Sequence, residues 1–292
     1  MMSFTIRADR FGESGVQRVL SERRGPVALL TLKDEGMNGY TYKMFRELDD
    51  AVLEARFDPS VQVIVITGDG PHFCAGANIK MLEAADATSK YYFCLHANET
   101  LSRLEQTPKL VIAAINGHCV GGGFEIALAC DLRIARRAGG KLGLPEIKLG
   151  VLPGTGGTQR LTRLVGAAKA MELMLSGSTV DPDRAAELGL VTQVIGETTT
   201  KEVKGRTRTV SALDRDAFVD QVIEYARQFC SPSRAAMAAG HIKRAVQSGG
   251  QLPLESGLAL ERELQAKLFA SDDAREGLTA FVEKRAAEFT GR

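Results

Sequence analysis

Two glutamates set among glycines are the residues of this chain most able to do chemistry. The first lies in residues 116–131, NGHCVGGGFEIALACD, where three consecutive glycines stand at a strand-to-helix junction. Such a junction exposes backbone N–H groups at the positive end of a helix, a seat for developing negative charge. Gly122 is the candidate donor, Gly121 precedes it, and Glu125 falls in the first helical turn among Phe124, Ile126, Ala127 and Leu128. Taken alone, a glutamate there equally suits a complement to the helix dipole. His118 has no carboxylate beside it in sequence, which favours a structural or surface role.

The second glutamate, Glu146, follows Pro145 in LGLPEIKLGVLPGTGGT, where a strand ends and a loop begins. Loop carboxylates flanked by apolar residues recur in active sites, although a surface acid reads the same way. The PGTGG run lacks both the GK[ST] ending of a phosphate loop and the GxGxxG pattern, so a backbone-turn role is assigned to it. A third segment, FCAGANIK at residues 73–80, follows a strong strand and a DGP turn. Gly76 admits conformations closed to other residues, so the Ala77 N–H can point outward at the start of the next helix. By itself this segment reads as a plain turn. Two carboxylates near a pair of backbone donors suit reactions through a thioester enolate, the donors holding the oxyanion and the acids moving protons. Each donor is worth about 3 kcal/mol and each proton mover about 10² to 10⁴ in rate.

The elements that must position these residues follow from periodicity. VALLTL at 27–32, VQVIVIT at 61–67 and LVIAAI at 110–115 read as strands, the last buried on both faces. Residues 41–56, 88–106 and 124–130 read as helices, and 132–135 as a further strand. Beyond Gly154 the pattern turns helical over 158–164, 167–175 and 182–188, with Asp181 suited to the N-cap of the last. Residues 197–209 are polar and read as an exposed loop; 214–230, 232–247 and 254 to about 288 carry helical periodicity without strands. The expected architecture is α/β: an extension over 1–24, a core over 25–212 and a helical region over 213–292. Leucines 254, 258, 260, 264 and 268 form an apolar helix face, for which packing on the same chain is the preferred reading.

Composition narrows the partners. With 37 Lys and Arg against 36 Asp and Glu, the formal charge is +1, so there is no net field to condense the chain on nucleic acid or an anionic membrane. Five scattered cysteines without CxxC spacing disfavour a disulfide framework and a zinc site, and point to a reducing, cytoplasmic setting. No stretch approaches the roughly 18 apolar residues of a membrane span. The N-terminal arginines alternate with Asp9, Glu13 and Glu22, unlike an acid-poor transit peptide.

FCAGANIK, VIAAINGHCVGGGFEIALACD, LGLPEIKLGVLPGTGGTQRLTRLVG and the closing FVEKR together resemble the enoyl-CoA hydratase/isomerase family, the crotonases, from about Val27 to Lys284. The resemblance implies a spiral of repeated strand-strand-helix units, with C-terminal helices that build trimers, often paired into hexamers. It implies no cofactor, coenzyme A being part of the acyl-CoA substrate, and no metal. Ala77 and Gly122 match the oxyanion-hole donors, and Glu125 and Glu146 the two acids of the hydratases. In that family the first helps activate the water attacking C3 and the second delivers a proton to C2. Ala75, Asn78, Ile79 and Gly121 fall within the matched substrate-binding segments, Lys80 matches a position near the CoA phosphates, and Phe281 and Lys284 match residues lining the CoA pocket, in the family that of a neighbouring subunit.

Keeping both acids favours hydration over double-bond isomerisation or other CoA-enolate lyase chemistry. An idle CoA- or RNA-binding scaffold is the reading from another class, and the near-zero charge weighs against RNA. The chain departs from the family pattern in Asn78, where Asp is usual, in a 21-residue spacing between the glutamates, and in the N-terminal extension and a polar insert near 201–208.

Overall fold

The apolar runs become strands because their alternate side chains have a layer to enter on each face of one sheet. The computed structural model describes residues 16–34, 37–203 and 206–291. In chain order it contains β1 (Val19–Arg24), β2 (Val27–Leu32), α1 (Tyr42–Phe57), β3 (Val63–Gly68), β4 (His72–Cys74), α2 (Ile79–Ala84), α3 (Ala87–Gln106), β5 (Leu110–Ile115), β6 (His118–Val120) and α4 (Gly122–Leu128). There follow β7 (Leu132–Arg136), β8 (Leu142–Gly143), a 3-10 turn (Glu146–Leu149), α5 (Gly157–Val165), α6 (Ala167–Ser176), α7 (Pro182–Glu187) and β9 (Gln193–Ile195). The chain closes with β10 (Thr198–Val203), β11 (Arg206–Ser211), α8 (Arg215–Arg227), α9 (Ala236–Gly249), α10 (Leu254–Phe269) and α11 (Asp272–Glu283).

A six-stranded sheet runs β1-β2-β3-β5-β7-β9, and a three-stranded sheet runs β4-β6-β8. The pairs β3/β4, β5/β6 and β7/β8 therefore each give one strand to each sheet, which is the expected spiral of strand-strand-helix units. Every pairing in the two sheets is parallel except β1 with β2. Leu30, Leu32, Ile64, Ile66, Val111 and Ala113 face inward onto α1 and α3. Val27, Leu29, Val63, Val65 and Ile112 face the other way, onto Phe218, Val222 and Ile223 of α8. Burying each large side chain of this kind contributes about 1.5–3 kcal/mol, so a strand apolar on both faces is held from both sides.

Three sequence expectations need correction. The stretch read as an extension over 1–24 contains β1, which pairs with β2 in register from Val19 with Leu32 to Arg24 with Val27, and the Val19 N–H donates to Glu47 at 2.9 Å. In this edge strand only Val19 is fully buried, so its hydropathy carries no strand signal; residues 1–15 lie outside the described residues. The loop read over 197–209 contains the β10–β11 hairpin, whose polar, threonine-rich strands pair with each other without a core face; residues 204 and 205 of its polar insert lie outside the described residues. The long helical pattern from Leu254 breaks at Ser271, whose hydroxyl accepts from Ala274 N–H at 3.1 Å and starts α11.

The leucine face of α10 packs on its own chain only in part, with Leu260 and Leu268 half-buried. Leu264 is buried, whereas Leu254 is 74% exposed and Leu258 lies at the surface.

Candidate active site

Glu125 sits on α4 with 1% exposure, buried by the turn of that helix against β4: a Cβ added at Gly123 would lie 2.1 Å from the Cys74 carbonyl oxygen. Its carboxylate is met by donors from the PGTGG turn. The N–H groups of Thr155 and Gly157 donate to Oε1 at 2.8 and 2.7 Å, and the Thr155 hydroxyl donates to Oε2. All three are donors, which suits an ionised carboxylate that can only accept. The turn is held in its own right: the Arg160 guanidinium donates to the Thr155 carbonyl at 3.2 Å and grips Glu105 of α3 at 2.8 and 2.7 Å. A side chain at 157 would crowd the site, because a Cβ there would come within 3.0 Å of Glu125 Oε1 and 2.9 Å of Leu144.

Glu146 opens the 3-10 turn after Pro145 and is half-buried. Burial pushes its carboxyl up to about 7; its own backbone N–H and, more weakly, Lys90 pull the other way, and the charge of Glu125 adds to the rise. Its Oε2 is buried without a hydrogen-bond partner among the described residues. Gly121 leaves it room: a Cβ at Gly121, where φ is +55°, would stand 3.1 Å from Glu146 Oε1. The structure thus puts the two acids within reach of each other's charge, one gripped by donors and one with a buried oxygen that has no hydrogen-bond partner among the described residues.

The two loops that carry the candidate backbone donors run side by side. Gly76, at φ +91°, lets the 75–78 loop run beside α4, a Cβ at Gly76 falling 3.6 Å from the Gly122 nitrogen. Within the two loops, Ala75 N–H donates to Met37, Asn78 N–H to Tyr40 and Gly121 N–H to Gly143. The N–H groups of Ala77 and Gly122 donate to no acceptor in the turns, loops or caps among the described residues. Asn38 and Asn116 fasten the preceding turn, Asn38 Nδ2 to the Asp69 and His72 carbonyls at 2.8 Å and Asn116 Nδ2 to Gly70 at 2.9 Å.

The Asn78 side chain caps α2 by accepting from Met81 N–H at 3.3 Å, and Ile79 and Lys80 are exposed on that helix. Phe281 is 84% exposed on α11 and Lys284 ends that helix, with α10 and the chain terminus as neighbours rather than the glutamates. His118 is exposed and accepts from Lys141 N–H at 3.2 Å.

Sequence reasoning missed Thr155, Gly157 and Tyr40. PGTGG does make a turn, but nothing local says that the turn closes on a carboxylate thirty residues earlier. Tyr40 is buried at 4% exposure, stacked on Phe93 and edge-on to Phe45, and its ring lies so close to Gly122 that a Cβ there would be 1.6 Å from Tyr40 Cε1.

The chain is similar to known proteins over nearly its whole length. The enoyl-CoA hydratase/isomerase family profile matches residues 22–292. The chain belongs to that family. It is 38% identical over 278 residues to the probable enoyl-CoA hydratase echA8 of Mycobacterium bovis, covering 94% of this chain and 99% of that protein. It is 33% identical over 275 residues to the short-chain-enoyl-CoA hydratase of Clostridium acetobutylicum, covering 94% and 97%. The crystal structure of an enoyl-CoA hydratase from Geobacillus kaustophilus superposes with a TM-score of 0.85 at 38% identity, covering 96% of this chain and 98% of that one. Among the described residues no helix is long and apolar enough to cross a membrane.

Proposed function

We propose that this protein is an enoyl-CoA hydratase that adds water across the 2,3 double bond of an enoyl-CoA thioester. One observation carries the reading. A half-buried glutamate that holds its proton near neutrality, with an unpartnered oxygen, stands beside a second glutamate held by three donors, next to two unengaged amides. The names of its relatives support the substrate class.

The thioester oxygen accepts from Ala77 and Gly122 N–H, which polarises the conjugated bond. A water between the carboxyl groups loses a proton to Glu125 as its oxygen bonds to C3. The electron pair of the double bond moves onto C2 and the thioester oxygen, giving an enolate held by the two amides. The Glu146 proton then goes to C2, the enolate collapses, and proton exchange with solvent restores both acids. Glu125 is suited to the first step because its donors fix its orientation, and Glu146 to the last because burial keeps it protonated. Ala75, Asn78, Ile79, Lys80 and Gly121 form the wall along which the CoA moiety runs. Phe281 and Lys284, exposed in one subunit, complete the pocket of a neighbour in a homotrimer, alone or paired as a hexamer. A cytoplasmic setting suits five unpaired cysteines.

The test is direct. Mixed with crotonyl-CoA, the protein is expected to remove the absorbance of the conjugated thioester. Unchanged absorbance with short, long and aromatic enoyl-CoAs would reject the reading.

A further inference from the structure

Arg160 does not serve its own helix. It closes the first turn of α5, where a cation opposes the helix dipole, and the N-cap Gly156 has no side chain to offer the amides there. The guanidinium turns back instead and makes three bonds with one planar group. Nε and Nη2 donate to the two carboxylate oxygens of Glu105 on α3 at 2.8 and 2.7 Å, and Nη1 donates to the Thr155 carbonyl at 3.2 Å. Only 14% of the Arg160 side chain and 32% of the Glu105 side chain are exposed, so this two-pronged pair is shielded where an open surface pair would contribute little. Thr155 is thus held from both sides: Arg160 takes its carbonyl, while its N–H and hydroxyl, with the Gly157 N–H, hold Glu125. The rest of the turn also lies along α3. A Cβ at Gly154 would stand 3.1 Å from Cys94 Sγ, and one at Gly156, where φ is +109°, would land on the Arg160 guanidinium with Asn98 Oδ1 3.4 Å away.

We infer that Arg160, paired with Glu105, is a positioning residue for the water-activating acid: it ties the turn whose donors hold Glu125 to α3, and so fixes where that carboxylate stands. Two of the three groups that hold Glu125 are backbone amides, which move only as the turn moves. A turn released from α3 would carry those amides with it, and the lone pair offered to water would lose its aim. A misplacement of about 1 Å can cost a reaction up to about 10²-fold in rate. The inference rests on the hydratase reading, and its test separates the two.

Arg160→Lys keeps the charge but replaces a three-point planar fork by a single ammonium. On crotonyl-CoA its kcat is expected to fall about 10-fold while KM stays within about twofold, since the role assigned to the pair is to hold Glu125 and not substrate. Glu105→Gln breaks the same fork from the other side and carries the same prediction should Arg160→Lys not fold. The double variant should lose no more than the worse single one, because the tether is already cut. A control lies on the same helix: Arg103 of α3 grips Asp49 of α1 at 2.7 Å, in a pair that does not include the turn. Arg103→Gln should lower the thermal melt yet leave kcat within about twofold. An unchanged kcat in Arg160→Lys would overturn the inference, as would additive losses in the double variant or an equal loss in Arg103→Gln. A crystal structure of Arg160→Lys supplies a readout independent of activity. The Thr155 and Gly157 amides should shift relative to Glu125, or its carboxylate appear in more than one orientation, and an unchanged arrangement would overturn the inference. A wild-type protein that turns over no enoyl-CoA would reject the hydratase reading alone, and the crystal structure would then decide this inference.

Discussion

At the scale of the residue, two chemically identical side chains are made different by their surroundings. Glu125 receives three donors, whereas Glu146 has an oxygen with none and feels the charge of its neighbour. Amide replacements keep their shape and remove their proton chemistry. Glu125→Gln and Glu146→Gln should therefore each lower hydration by at least about 10²-fold with the fold intact, measured as kcat on crotonyl-CoA beside a circular dichroism melt. The pH profile belongs here too. The group is a carboxyl raised to about 7, so its useful form is the protonated one, present below that pH and lost as pH rises through it. With Glu125 and Lys90 as its charged neighbours, hydration by the wild-type protein should be sustained on the acid side and fall above about pH 7. A kcat that keeps rising from pH 7 to 9 would exclude Glu146 as the proton donor.

At the scale of the element, the site is a meeting of short turns that the spiral stacks side by side. The loops after β4 and β6 are adjacent because those strands pair in the small sheet, and the PGTGG turn reaches Glu125 because α5 packs on α4. Close approach leaves no room for side chains at the crossings. Gly122→Ala should force the Tyr40 ring out of its slot, costing about 1–3 kcal/mol as overpacking does and displacing the amide meant for the thioester oxygen. The expected result is a lowered Tm together with a loss of turnover of about 10²-fold or more. A fully active, equally stable Gly122→Ala protein would exclude the close approach of the Tyr40 ring to Gly122.

At the scale of the whole molecule, one chain does not cover its own C-terminal helices. Leu254 on α10, and Phe269, Leu278 and Phe281 near and on α11, are exposed large apolar residues. Self-association would bury them and would bring Phe281 and Lys284 to a neighbouring site. The purified protein should accordingly weigh three or six times the 31.4 kDa of the chain by light scattering, at micromolar concentration. A monomer that turns over substrate with undiminished affinity would remove both residues from the pocket.

Much of this was legible in the sequence because it is local or periodic. Strands β2, β3 and β5, buried on both faces, announce themselves by continuous apolar runs, and the two glutamates by their glycine-rich surroundings. Strand β1 and the β10–β11 hairpin did not, since edge and exposed strands need no apolar face. The break at Ser271 stayed hidden because apolar spacing continues across it. Motif order decided the family and nominated both acids and the candidate donors. What only the tertiary structure decided is which groups touch: that a turn read as mere backbone grips Glu125, that a tyrosine from before β3 abuts Gly122, and that the leucine face of α10 is open at its N-terminal end. Those facts depend on contacts between residues tens of positions apart, and contact across such distances is a property of packing, which local spacing does not encode.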